Sequence, residues 1–242
     1  MAGLTDRPFA AFDIDGTLIR WQLYHAVADE LARAGCLGQI EYGAIREARL
    51  NWKRRTSVDA FSIYEQTLIY HINIAMTSIS HEQLLAASRA VLNQYKDQVY
   101  TFTREYINQL KQAHYLLFAI SASPYDIVRL VAEYYGFDDC AGSIYETKAG
   151  RFTGQKELLL SERKPFHLKR LAEKHQASWT SSAAVGDSEN DIPMLEIIEK
   201  PVAFNPTRKL YDHAKKNGWR IVIERKDMVY DLGSHDGSYI LA

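Results

Sequence analysis

The sequence predicts an α/β fold in which a parallel-sheet core is interrupted, after its first strand, by an all-helical domain. Three observations carry this expectation. The apolar run Pro8 to Ile14 is short, bounded by polar residues, and reads as a buried strand. From Trp21 to about Val99 every segment has helical spacing. After about Tyr100, short apolar strands alternate with helices of roughly ten residues, the pattern of βαβ units. The expected boundaries are 1–19 and 100–242 for the core and 20–99 for the helical insert.

Each element has a local reason. Leu23, Val27 and Leu31 of "WQLYHAVADELARAGCLG" lie on one helix face, and Gly35 supplies a stop. "EYGAIREARLNWKRR", "VDAFSIYEQTLIYHINIAM" and "HEQLLAASRAVLNQYKDQV" continue the helical spacing, and Ser80 with Gln83 forms a capping-box pattern. Beyond Tyr100, "REYINQLKQAH" reads as a helix, "YLLFAIS" as a buried strand and "PYDIVRLVAEYYG" as a helix. "SIYETKAGRFTG" reads as short strands about a glycine turn. Then come a helix ("PFHLKRLAEKHQ"), a strand ("SSAAVGD"), a helix ("DIPMLEIIE"), and the same alternation in "KPVAFN", "TRKLYDHAKKNG" and "WRIVIE". The polar, turn-rich residues 225–242 are assigned to no element.

Composition narrows the function. A formal net charge of −1 lacks the basic excess of a nucleic-acid binder. No apolar run approaches the ~20 residues that span a bilayer, and the N-terminal "MAGLTDRPFAAFDIDG" meets acid too early for a secretory core. Cys36 and Cys140 form no C-x-x-C pattern and read as reduced, buried thiols of a cytoplasmic protein.

The acids stand where strands end. Residues two apart on a strand share a face, so Asp13 and Asp15 are expected to point together beyond the first strand. Ligands of open α/β sheets bind beyond those carboxyl ends. Two carboxylates held there repel unless a cation lies between them or one keeps a proton. A hard cation such as Mg²⁺ suits a few carboxylates completed by water and substrate oxygens. Ser121 ends another strand; Ser123 fits an N-cap, Pro124 the first helical position and Asp126 the capping box, so that Ser121 sits beside an anion-binding helix N-terminus. A third strand ends at Asp187, followed by Asn190 and Asp191. Together the three ends describe a metal facing a phosphate. A calcium loop starting at Asp13 fails, because Gly16 comes too early and Tyr24 stands where the bidentate glutamate belongs.

These motifs resemble the haloacid dehalogenase superfamily, in the branch similar to phosphoserine phosphatase, whose helical cap follows the first strand of a Rossmann-like core. "DIDGT" matches its first motif, the serine of "ISAS" its second and "GDSEND" its fourth. The third motif is a lysine opening a helix; Lys164 fits it, and Lys169, in mid-helix, is the rival. The resemblance implies that Asp13 is the nucleophile, forming an aspartyl-phosphate, and Asp15 the general acid and base. It implies Mg²⁺ held by Asp13, the backbone carbonyl of Asp15, and Asp187. Ser121, the backbone of Ala122, and Lys164 would bind phosphoryl oxygens. Asp191 and Asn190 would support the metal, Lys164 or the substrate. The implied activity is hydrolysis of a small phosphorylated metabolite by a monomer or homodimer, without nucleic acid or membrane.

The resemblance has limits. Where phosphoserine phosphatase uses a glutamate to hold the substrate ammonium, this sequence has Gln22, and the cap arginine that holds the serine carboxylate has no clear counterpart. Both argue against phosphoserine as substrate. A phosphotransferase or mutase, or a phospho-ligand-binding regulatory protein, are the alternatives. The basic run Arg46, Arg49, Lys53, Arg54 and Arg55 reads either as a solvated helix face or as an attractor of anionic substrate. Trp21, Tyr24, Trp52, Tyr64 and Tyr70 read either as core or as a pocket lining.

Overall fold

The computed structural model describes residues 7–57, 59–235 and 238–241. The extreme N-terminal residues and Val58, which the sequence reading places ahead of the first strand and at the head of a helix, lie outside the described residues. In chain order the elements begin with strand β1 (Pro8–Phe12) and helices α1 (Leu23–Arg33), α2 (Gln39–Lys53), α3 (Ala60–Met76), α4 (His81–Tyr95) and α5 (Thr101–Gln112). There follow β2 (Leu116–Pro124), α6 (Tyr125–Tyr135), β3 (Asp139–Lys148), β4 (Arg151–Glu157), α7 (Lys164–Lys174) and β5 (Ser178–Gly186). The chain continues through α8 (Ile192–Leu195), β6 (Lys200–Phe204), α9 (Arg208–Lys216), β7 (Arg220–Arg225), β8 (Met228–His235) and β9 (Ser238–Leu241).

The contacts divide the chain into two compact units. The first holds the chain up to Gln22, Lys96–Ser143 and everything from Leu158; the second holds Leu23–Tyr95 and Ile144–Glu157. The hairpin segment 144–157, placed in the core by the sequence reading, thus groups with the helices. Strand β3 changes partner at that point: to Ser143 it pairs in parallel with β2, and from Ile144 it pairs antiparallel with β4. Ala149 (φ 50°) and Gly150 (φ 75°) form the hairpin's turn, both in the left-handed region that primed turns require.

In the first unit the parallel strands run β3-β2-β1-β5-β6-β7, with β8 and β9 added antiparallel at the far edge. This is the doubly wound order, which reverses direction at β1. Phe9, Ala10, Ala11 and Phe12 are fully buried, as befits a strand covered on both faces. Phe9 packs edge-on against Trp179 (centroids 4.9 Å apart) and beside Phe118 (5.6 Å), anchoring the core at the sheet's centre. The unplaced residues 225–242 supply β8 and β9; β8 pairs with β7 in the register Ile221↔Leu232 and Ile223↔Tyr230. "DIPMLEIIE" gives only the four-residue α8 after a 3-10 turn. No helix among the described residues is long and apolar enough to cross a membrane.

In the second unit Tyr64 follows the core reading while Tyr70 is exposed, and the basic run divides. Tyr64 is fully buried and stacks on Trp52 (5.4 Å, 11°), and its hydroxyl accepts from Arg49 Nε at 2.8 Å. Arg49 also grips Asp29 through both terminal nitrogens, at 2.7 and 2.9 Å. Arg49 is therefore a structural cation, while Lys53, Arg54 and Arg55 are exposed. Burial and the neighbouring Arg49 push His25, packed on Tyr64, down to a pKa of about 3, so it is neutral at any physiological pH. The Ser80–Gln83 capping box forms as expected, with its bonds at 2.7 and 3.1 Å.

One buried acid fixes both sides of the first break in the first unit's chain. Glu224, near the end of β7, is 8% exposed. Its carboxylate accepts from the N–H groups of Thr101 (3.1 Å) and Phe102 (2.8 Å) at the start of α5 and pairs with Arg20. Arg20 Nε in turn donates to Val99 O at 2.9 Å. Glu224→Ala leaves two helix-terminal donors and one cation without this partner. It should cost about 2–3 kcal/mol in urea unfolding, with Glu224→Gln costing roughly half as much; an alanine variant as stable as the parent would contradict this role.

Candidate active site

The site grows from the carboxyl ends of β1, β2 and β5. Asp13 follows β1 directly, and its N–H still joins the sheet through Val185 O at 3.0 Å. Its carboxylate, 6% exposed, accepts from Lys164 Nζ at 2.7 Å. The chain then curls: the N–H groups of Thr17, Leu18 and Ile19 all turn to Ile14 O. Asp15 lies close enough for its charge to help raise Asp13, and its Oδ2 accepts from Ser121 Oγ at 2.9 Å and Ser123 Oγ at 3.2 Å.

Ser123 corrects the sequence reading. Strand β2 runs on to Pro124, α6 begins at Tyr125, and no side chain caps it. Ser123 is not an N-cap, because its hydroxyl is taken by Asp15 and its N–H donates to Ser121 Oγ at 3.1 Å. Nothing in the sequence alone distinguishes the two uses of a serine ahead of Pro-x-Asp. Ala122 O accepts from Ser143 Oγ at 2.6 Å, and that hydroxyl accepts from Leu159 N at 3.0 Å, which pins the strand end.

Lys164 opens α7 and is 3% exposed. Its ammonium bridges Asp13 and Asp191, the second at 2.5 Å. Asp191 is fully buried and fully engaged: Oδ1 faces Lys164, while Oδ2 accepts from Asp187 N (3.0 Å), Ser188 N (3.0 Å) and Ser188 Oγ (3.1 Å). It thereby folds the loop after β5 back on itself and carries Asp187 to the site. Asn190 is exposed, and its carbonyl accepts from Ser161 Oγ at 2.9 Å, so its placement is set by the backbone. Gln22 lies just ahead of α1.

Two glycines permit the close approach. At Gly16, φ is +82°, and an added Cβ would stand 2.3 Å from Asp187 Oδ2. At Gly186, a Cβ would stand 2.4 Å from that of Asp191. No other residue type allows the acidic loops to meet at these distances.

Asp13, Asp187 and Asp191 each offer a carboxylate oxygen, and the three oxygens lie within 4.8 Å of one another. Burial, opposed by Lys164 and reinforced by Asp191 and Asp15, pushes Asp13 up to about 7. Burial with the charges of Asp13 and Asp191 pushes Asp187 up to about 9. Burial works against the charge on Lys164, but Asp13 and Asp191 outweigh it and hold the ammonium above the ordinary lysine range. The cluster thus carries more negative charge than one lysine balances, which is the donor set a hard divalent cation fits. Mg²⁺ would be held by Asp13 and Asp187, with Asp191 ordering the loop behind them.

The raised values fix a pH dependence. Without a cation, the protons on Asp13 and Asp187 stabilise the fold fully below the ordinary carboxyl value of 3.8, and that contribution is lost as pH rises through about 7 and about 9. A bound cation replaces the protons, so its effect should grow with pH. Thermal melting in EDTA and in Mg²⁺ should show the larger Mg²⁺-induced rise near pH 8 than near pH 6, with Asp187→Asn removing most of the difference. A Mg²⁺ effect independent of pH would contradict the assignment.

The chain is similar to several known proteins. A family model described as haloacid dehalogenase-like hydrolase matches residues 10–196. A putative hydrolase of Mycobacterium leprae is 30% identical over 59% of this chain and 48% of its own length. A histidinol-phosphatase of Neisseria meningitidis is 28% identical over 88% of this chain and 97% of its own. The chain spans less than half the length of the mycobacterial relatives it matches. Among solved structures, a phospho-aspartyl intermediate analogue of phosphoserine phosphatase superposes with a TM-score of 0.61 at 23% identity, covering 92% of this chain and 95% of that one. The chain belongs to the haloacid dehalogenase-like hydrolase family.

Proposed function

We propose that this chain is a Mg²⁺-dependent phosphatase that hydrolyses a small phosphomonoester through an aspartyl-phosphate on Asp13. The observation that carries the reading is the arrangement of Asp13 at the end of the central strand: Lys164 on one oxygen, Asp187 and Asp191 beside it, and Asp15 tied to Ser121 close by. Bound there, Mg²⁺ would supply charge neutralisation for the phosphoryl oxygens.

The chain's own residues then divide the work. A carboxylate oxygen of Asp13 attacks phosphorus as the ester P–O bond breaks, and the Asp15 carboxyl gives its proton to the departing alkoxide. Ser121 Oγ and Lys164 Nζ meet the charge on the transferring oxygens, and the Ala122 backbone lines the same strand end. In the second step Asp15 takes a proton from water, which attacks phosphorus, breaks the acyl-phosphate bond, and restores Asp13. Asp191 keeps Lys164 and Asp187 in register throughout.

The second unit is inserted in the sequence after β1, as the family's cap is, and the resemblance makes it the selector of the leaving group. An uncharged Gln22 argues against phosphoserine. The relative matched over most of both chains is named for histidinol phosphate, which therefore heads the substrate panel together with phosphoserine and phosphoglycolate. Two free cysteines and the phosphorylated metabolite suit a cytoplasmic setting.

Phosphate release from such a panel, with and without Mg²⁺, tests the reading. Release should require Mg²⁺ and fall at least about a thousandfold in Asp13→Asn while that variant melts normally. Retained turnover in Asp13→Asn would remove the nucleophile. Transfer to an added alcohol without release to water would replace the phosphatase by a phosphotransferase.

A further inference from the structure

Ser121 has two duties on the reading above, and a serine hydroxyl has one proton to give. In the structure that proton goes to Asp15 Oδ2 at 2.9 Å. During phosphoryl transfer it must go to a phosphoryl oxygen instead, and Asp15 then loses this restraint at the moment its aim matters most.

Ser123 stands ready to keep the restraint. It is 6% exposed, two residues from Ser121 on the same strand, so both hydroxyls project from one face of β2. Its Oγ donates to the same Asp15 Oδ2 at 3.2 Å. Its N–H donates to Ser121 Oγ at 3.1 Å, which leaves that hydroxyl's proton free to swing while its oxygen stays put. The strand end beneath is fixed by Ser143 Oγ on Ala122 O. We propose that Ser123 is a positioning residue for Asp15: its hydroxyl holds the general acid in place through the reaction, and its N–H steadies Ser121, which serves the phosphate. This rests on the phosphatase reading.

Both hydroxyls donate to Oδ2, so in the proposed step Oδ1 of the Asp15 carboxyl carries the transferable proton. In the first step that proton passes to the leaving oxygen as its bond to phosphorus breaks, and Oδ2 stays against Ser123. A loosened Asp15 therefore harms esters whose leaving group needs a proton and spares those whose leaving group departs as a stable anion.

The test compares kcat/KM for an alkyl phosphomonoester and for p-nitrophenyl phosphate in the full chain, Ser123→Ala and Ser121→Ala, all with Mg²⁺ and checked for folding by thermal melting. The ratio kcat/KM reports steps through the first phosphoryl transfer and leaves out the later attack of water. Ser123→Ala should lower the alkyl value by about 10- to 100-fold and the p-nitrophenyl value by less than about threefold. Ser121→Ala should lower both together, because phosphate contact is common to both esters. Equal losses on both esters in Ser123→Ala, or no loss on either, would overturn the proposal. A parent protein that hydrolyses neither ester would overturn the phosphatase reading itself, and this inference with it.

Discussion

Lys164 and the two carboxylates it bridges set the terms for the rest of the core. Its ammonium is almost wholly withdrawn from water and lies 2.7 Å from Asp13 and 2.5 Å from Asp191. Burying an ammonium costs several kcal/mol, and only close, well-placed carboxylates offset it. Yet the same cluster includes Asp187 and Asp15, so the lysine pays for its own burial without balancing the acids around it. Charge is left over, and its sign is what a divalent cation answers. Stability and chemistry are set against each other here: the site is strained electrostatically, and a bound cation would relieve that strain.

The surrounding structure serves to bring these acids together. The central strand delivers Asp13, and the curl after it delivers Asp15 to β2. Asp191 uses three hydrogen bonds to order the loop that bears Asp187 and a fourth to hold Lys164. Gly16 and Gly186 supply the space, one by a left-handed backbone and both by lacking a Cβ. Thr207 N reaches back to Asp187 O at 2.8 Å, so the loop after β6 supports the same residue. Four separate connections therefore converge on a few ångströms, which is the economy of the doubly wound fold at its switch point.

Much of this was legible in the sequence, for definite reasons. Apolar runs ending in acids mark strand ends, so Asp13 and Asp187 could be placed before any coordinates. Lys164 came from the family resemblance, whose third motif asks for a lysine opening a helix. What escaped was the direction of side chains once the strand stopped. Parity pointed Asp13 and Asp15 together beyond the strand but could not name Asp15's partners there, Ser121 and Ser123. Ser123 fitted a capping box, and only the tertiary partner shows that its hydroxyl is used elsewhere. Arg49 looked like one of a solvated basic run; Asp29, twenty residues earlier, claims it. The hairpin end of the sheet was missed because β8 and β9 carry polar, glycine-broken sequence that forms strands by adding to an existing edge.

The central claim is that Asp13 becomes covalently phosphorylated. Rapid acid quench of the enzyme turning over a phosphomonoester with Mg²⁺, followed by mass spectrometry of the tryptic peptide ending at Arg20, addresses it directly. The account predicts a phosphoryl group on Asp13 that appears before free phosphate and disappears when substrate is exhausted. Phosphate released with no phosphoryl group on that peptide at any time, or with the group on a different residue, would contradict it.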